Sequence, residues 1–185
     1  WSAPIRADGS TSTGTPPYTT SADAATSPQI FDDFGVAGTL PALAANQSMD
    51  ILGVEVRLRA MYSGSASTNC RLTTELSWDG GGTWTSPVNY VLPSSFPASP
   101  YVTQGSASNA SAFGHAWTRA DFNDLHVRLT FLQGSGCGSG HTARVDILQV
   151  RVSYRVNTTN PVTTYSNDGQ QDLKDPHGNN LRRQN

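Results

Sequence analysis

Residues 71–84 read Arg-Leu-Thr-Thr-Glu-Leu-Ser-Trp-Asp-Gly-Gly-Gly-Thr-Trp. From Arg71 to Trp78 the residue types alternate. Leu72, Thr74, Leu76 and Trp78 share one face, the period-two pattern of a strand with one side buried. Asp79 and three glycines then break the alternation. An aspartate closes a turn with its own side chain, and glycine accepts positive φ without a steric penalty. The chain must reverse here, and Trp84 to Leu92 is predicted to return as the partner strand.

The same period recurs on either side. Ile51 to Ala60 places Leu52, Val54, Val56 and Leu58 on one face and Glu55, Arg57 and Arg59 on the other. His126 to Leu132 groups Val127, Leu129 and Phe131. Thr142 to Val156 is the longest strand signal, but its parity slips at Ile147-Leu148, which a β-bulge or burial on both faces would explain. Ile30 to Val36 is a further short strand. Residues 93–113 carry Pro93, Pro97 and Pro100 and read as a long excursion or short edge strands. One helical turn is expected near Trp117–Phe122, with Thr118 as N-cap and Asp121 three positions on. No segment sustains a 3.6-residue period. The expected fold is all-β, an antiparallel β-sandwich of jelly-roll or Ig-like type, with long polar segments at both ends.

The boundaries follow composition. Residues 1–30 are polar and packed on, or extending, the sandwich; 31–156 form the β-sandwich domain; 157–185 are a polar tail or linker in which Asn, Asp, Gln and Gly dominate. Charged residues are 14% of the chain and the net charge is −2, so neither nucleic acid nor an anionic membrane is an expected partner. No apolar run approaches the roughly 20 residues that span a bilayer, so membrane insertion of this segment is not expected. The chain opens at Trp1 without a leader, which reads as a processed or excerpted part of a longer product. Two cysteines are present. Cys70 precedes a strand, and Cys137 lies in the Gly-rich loop 134–140, where a loop can bring the two together. A disulfide between them suits a secreted protein and is worth roughly 4 kcal/mol by chain entropy. Two isolated cysteines do not make a metal site.

Few side chains announce chemistry. The histidines 115, 126, 141 and 177 lack metal-type spacing and read as surface or loop residues. Asp32 and Asp33 with Asp121 or Asp146 could form a glycosidase-like carboxylate pair, but Asp146 within a strand suits hydrogen bonding to loop amides better. Ser111 and His115 lack a nucleophile-elbow sequence around them. Asn167-Asp168-Gly169, Asp172 and Asp175 are turn chemistry without EF-hand spacing. No cofactor is expected, although a structural calcium ion is compatible with the composition. Trp117, Tyr101 and Tyr90 are the aromatics left over as ligand-stacking candidates for a glycan, whereas Trp78 is in phase with the core. Asn46, Asn109 and Asn157 begin N-x-[ST] sequons and mark surface if they are glycosylated.

Several blocks taken together carry a resemblance. Trp1-x-x-Pro4, Phe31-x-x-Phe34-Gly35, Ile51-x-Gly53-Val54-Glu55-Val56, Leu76 to Gly81, Trp117-Thr118-x-x-Asp121-Phe122, and Ala143-Arg144-Val145-Asp146 with Val150-Arg151-Val152-x-Tyr154 resemble a β-sandwich module of bacterial secreted and cell-surface proteins. These include proteins associated with tight-adherence, Flp-type pili. Ser77, Asp79, Gly81 and Trp84 also match the Asp-box, S-x-D-x-G-x-x-W, which in sialidases and other secreted β-proteins builds a hairpin and is not catalytic. It occurs once, and 185 residues are too few for the repeated blades of a propeller enzyme. The resemblance implies a structural or adhesive role and brings no catalytic residues.

The expectation is therefore a non-enzymatic extracellular or cell-surface subunit of a filament, pilus-like or surface-layer assembly. It would self-associate into a homo-oligomer or filament through sheet edges and terminal tails, and deletion of residues 157–185 would abolish assembly. The alternative is a carbohydrate-binding or adhesin module of a larger secreted protein. A hydrolase fragment and a virion decoration module are further variants.

Overall fold

A computed structural model of the protein describes residues 19–20, 28–64, 69–96, 102–134, 136–137 and 140–159. In chain order the strands are β1 (Thr19–Thr20), β2 (Gln29–Phe31), β3 (Gln47–Ser63), β4 (Cys70–Ser77), β5 (Val88–Val91), β6 (Val102–Ser106), β7 (His126–Gln133) and β8 (Thr142–Thr158). They form two four-stranded antiparallel sheets, β1-β8-β3-β6 and β2-β7-β4-β5, so the chain is an antiparallel β-sandwich. Two strands, β1 and most of β2, come from the polar N-terminal segment, and β8 runs two residues into the polar tail.

The core lies between the sheets and is built from alternate residues. Val54, Val56 and Leu58 of β3, Leu72 and Leu76 of β4, Val127, Leu129 and Phe131 of β7 and Val145 of β8 have no solvent exposure. Burying each such side chain contributes about 1.5–3 kcal/mol. Cys70 and Cys137 are joined by a disulfide, Cα–Cα 5.1 Å. It ties the start of β4 to the loop between β7 and β8, as the composition suggested.

Four local expectations need correction. The strand predicted over Ile30–Val36 stops at Phe31. Asp33 (φ 53°) and Gly35 (φ 65°) turn the backbone left-handed, and Val36–Thr39 forms a single helical turn. The partner strand of the 71–84 hairpin begins at Val88, not Trp84, because the intervening residues are spent on the turn itself. Leu52 does not share the core face of β3. The β3–β8 register shifts between Ile51 and Gly53, which leaves Leu52 as the extra residue of a bulge; Leu52 is exposed and Ile51 is buried instead. A second shift lies between Arg59 and Ala60, where β8 carries the extra residue Asp146. This bulge, one residue before the slip seen in the sequence, explains that slip. It also corrects the role expected of Asp146: its carboxylate accepts a 2.7 Å hydrogen bond from the Arg59 guanidinium across the sheet.

Candidate functional site

The Asp-box hairpin is the most ordered constellation of polar groups. Ser77, buried at the end of β4, donates its hydroxyl to Asp79 Oδ1 at 2.8 Å and accepts the Gly81 N–H at 2.8 Å. The same Oδ1 accepts the Thr83 N–H at 2.7 Å. Gly80 and Gly81 take φ of 69° and 94°, which a residue with a Cβ adopts only under strain. The Trp84 indole donates to the Gly81 carbonyl at 3.0 Å and lies 4.2 Å from the Arg128 guanidinium, which forms a two-pronged pair with Glu75 at 2.7 and 2.8 Å. Beyond the turn, Thr85 bonds Leu76 through both its N–H and its hydroxyl. The Thr83 backbone N–H, then the Thr83 and Ser77 side chains, hold the Asp79 carboxyl down at about 2. Its lone pairs are committed to the turn, so this aspartate is a structural group.

Beside it lies an aromatic stack. His115 packs face to face on Trp78, centroids 3.7 Å apart and planes 9° apart, and both meet the edge of Trp117. Trp117 is buried, and its indole donates to the Ala112 carbonyl at 2.8 Å. The 3₁₀ turn Arg119–Phe122 is capped as expected: Thr118 and Asp121 exchange the reciprocal bonds of a capping box, and Asp121 Oδ2 also lies 3.1 Å from His115 Nε2. Trp117 stacks on Phe122 at 5.6 Å, the residue before the cap packed on the fourth residue of the turn.

These positions remove the stacking platform. Trp117 belongs to the core, not to the surface where a sugar would stack. The signal was legible, because an aromatic one residue before a capping-box threonine with Phe122 four residues after that threonine is a hydrophobic staple. Tyr90 is half-buried on β5, with burial pushing its phenol up, and Tyr101 lies outside the described residues. The histidines also differ from expectation: His141 is buried against Tyr62, and His115 is held in the stack. His177 and the 167–175 turn residues lie outside the described residues. Asp121 and Asp146 are each engaged as described, and Asp32 and Asp33 are exposed. Of the sequons, Asn46 and Asn109 are exposed. Asn157 is half-buried in β8, where its amide donates to Asp50 Oδ2 at 2.7 Å.

The outer faces of both sheets are closed by cross-strand ion pairs. Arg59–Asp146 and Arg151–Glu55, each at 2.7 Å, cover one sheet, and Arg128–Glu75 covers the other. Unpaired backbone is concentrated at the sheet edges instead. β8 has 17 residues, and β3 pairs with it from Thr142 to Thr158. On its other side, among the described residues, only Thr19 and Thr20 pair with it, opposite Val145 and Arg144. A groove of about 400 Å³ follows, lined by Leu148, Gln149, Val150 and Arg151 with Phe34 and Arg57. Its lining takes in Arg57 of β3, opposite Gln149, as well as four consecutive residues of β8. Sequence reasoning missed this edge, because no local pattern says which strand ends a sheet.

No family model, curated protein or solved structure matches the chain.

Proposed function

We propose that the chain is a non-enzymatic structural module of an extracellular or cell-surface assembly, and that it associates through its sheet edges and terminal segments. The observation that carries this reading is the β8 edge, which from Asp146 to Thr158 offers backbone donors and acceptors with no partner among the described residues. Such an edge pairs with any extended strand of compatible side chains. The faces, by contrast, carry cross-strand ion pairs. The disulfide fits a secreted protein, since such bonds persist in oxidising compartments. We further read the fold as a jelly roll. The pairings β1–β8, β2–β7, β3–β6 and β4–β5 are those of one long hairpin wrapped into two sheets. The resemblance to modules of bacterial surface and Flp-type pilus-associated proteins agrees with this role. The glycan-binding alternative loses its main anchor with the burial of Trp117.

Sedimentation and negative-stain electron microscopy of the full chain over a range of concentrations test the reading. Regular oligomers or filaments are expected, and a species that stays monomeric at high concentration would overturn it.

A further inference from the structure

A cavity of about 240 Å³ lies where the 33–38 turn meets the exit of the 3₁₀ turn Arg119–Phe122. Phe34, Val36, Phe122 and Leu125 give it an apolar lining, and Asp33 and Asn123 give it two polar groups. Val36, Phe122 and Leu125 are buried, whereas Asp33 and Asn123 are exposed, so the polar groups stand on the solvent side. Neither polar side chain makes a hydrogen bond or ion pair among the described residues. In the larger groove beside β8, by contrast, Arg151 is already paired with Glu55 at 2.7 Å.

The charges nearby favour a cation. Asp32 and Asp124, the sequence neighbours of the two polar groups, are exposed carboxylates as well. Arg119, the base of the adjoining 3₁₀ turn, directs its guanidinium to the Pro41 carbonyl at 3.4 Å. A positively charged solute is therefore drawn to this corner over an anion or a neutral one. The volume sets its size. It falls below the roughly 300–1,000 Å³ of sites for drug-sized ligands, so the occupant is a short chain against an apolar lining. Gly38 lines the same cavity outside the left-handed region, and a Cβ built there meets no atom within 4 Å. Neither a positive φ nor a close contact calls for glycine here, although glycine weakens a helical turn. Together Ala37 and Gly38 keep the lining small on that side.

We propose that this cavity is a binding site for a small alkylammonium group. Its aliphatic stem packs against Phe34, Val36 and Leu125, and its N–H donors reach the Asp33 carboxylate and the Asn123 amide oxygen. The left-handed backbone at Asp33, φ 53°, holds the carboxylate in the turn that lines the cavity. The inference is independent of the assembly reading.

Titration of the full chain with n-butylammonium, followed through NMR amide shifts, tests it. Saturable shifts are expected at Val36, Ala37, Gly38, Asn123 and Leu125, with a roughly millimolar Kd for so small a ligand and with the amides of β4 unmoved. n-Butanol, the neutral isostere, is expected to bind about fivefold more weakly. Asp33→Asn is expected to lower the affinity for n-butylammonium by about the same factor, the worth of an exposed ion pair. Asparagine tolerates the left-handed region, so the turn survives that substitution. The Nα-acetyl methylamide of lysine separates the sources of the ammonium. Tighter binding than n-butylammonium points to a side chain of a partner protein, weaker binding points to a free amine, and either supports the site. No saturable shift at these amides, equal binding of n-butanol, or an unchanged affinity in Asp33→Asn would overturn the proposal.

Discussion

β4 and β8 are both long strands of the same sandwich, and they solve opposite problems. β4 is flanked by β5 and β7, and its ladders run without a register shift. Leu72, Thr74 and Leu76 are fully buried on one face, and Thr73 and Ser77 of the opposite parity are buried as well. β8 is flanked along its length by β3 on one side and, among the described residues, only by Thr19 and Thr20 on the other. It carries a bulge at Asp146, and the compensating bulge of its partner β3 lies at Leu52. Between the two bulges the ladder runs one residue out of its flanking register, and Arg59 fills the Asp146 bulge with an ion pair. A strand held from both sides has no room for an extra residue, whereas an edge strand accommodates one and gains local twist from it.

The sharpest way to break this contrast is deletion of one residue from each strand. Deleting Glu75 reverses the parity of one half of β4 relative to the other and turns either Leu72 or Leu76 away from the core. The expected cost exceeds about 5 kcal/mol, comparable to the stability of a whole domain, so circular dichroism should show an unfolded chain. Deleting Asp146 removes the extra residue and leaves the inward pattern of β8 intact, because Val145 and Leu148 then alternate around Ile147. Its expected cost is about 1–2 kcal/mol, from the lost ion pair and altered twist, measured by urea unfolding. Equal costs for the two deletions would show that the bulge, too, is indispensable.

Next in size is the disulfide that anchors the start of β4. The double variant Cys70→Ser, Cys137→Ser is expected to lose about 4 kcal/mol in denaturant unfolding, because the bridge closes a loop with a sequence separation of 67. A loss near zero would mean that the pairing with β5 and β7 alone holds that end of the strand.

The smallest effect is expected at the other end of β4. The Asp79 carboxyl is held at about 2, below its unfolded value of about 4. A lowered carboxyl stabilises the fold above the unfolded value, and that contribution disappears as pH falls through about 4 toward 2. The stability gap between the protein and Asp79→Asn should therefore narrow on acidification across that range. A titration of the Thr83 amide by NMR should report a midpoint near 2; a midpoint near 4 would mean that the turn does not hold the carboxylate.

Legibility in the sequence follows the range of the interactions. The Asp-box turn, the capping box at Thr118–Asp121 and the strand periods of β4 and β7 depend on neighbours within a few residues, and each stands where the sequence puts it. β5 starts later than the period implies because the turn consumes residues through Thr85, which bonds back to Leu76. Trp117 is drawn into the core by its staple to Phe122, a contact that strand periodicity does not report. Leu52 kept its apparent parity on paper because a bulge is a property of two strands, not of one.

From the sequence alone came the all-β sandwich class, the reversal at Asp79–Gly82 and the pairing of the two cysteines, because residue period, turn chemistry and cysteine count are local or additive properties. Tertiary structure alone decided where β3 is bulged, what partner Asp146 takes and, among the described residues, which edge is left unpaired. Those depend on contacts such as Arg59 with Asp146, 87 residues apart, and on a strand order that no local pattern encodes.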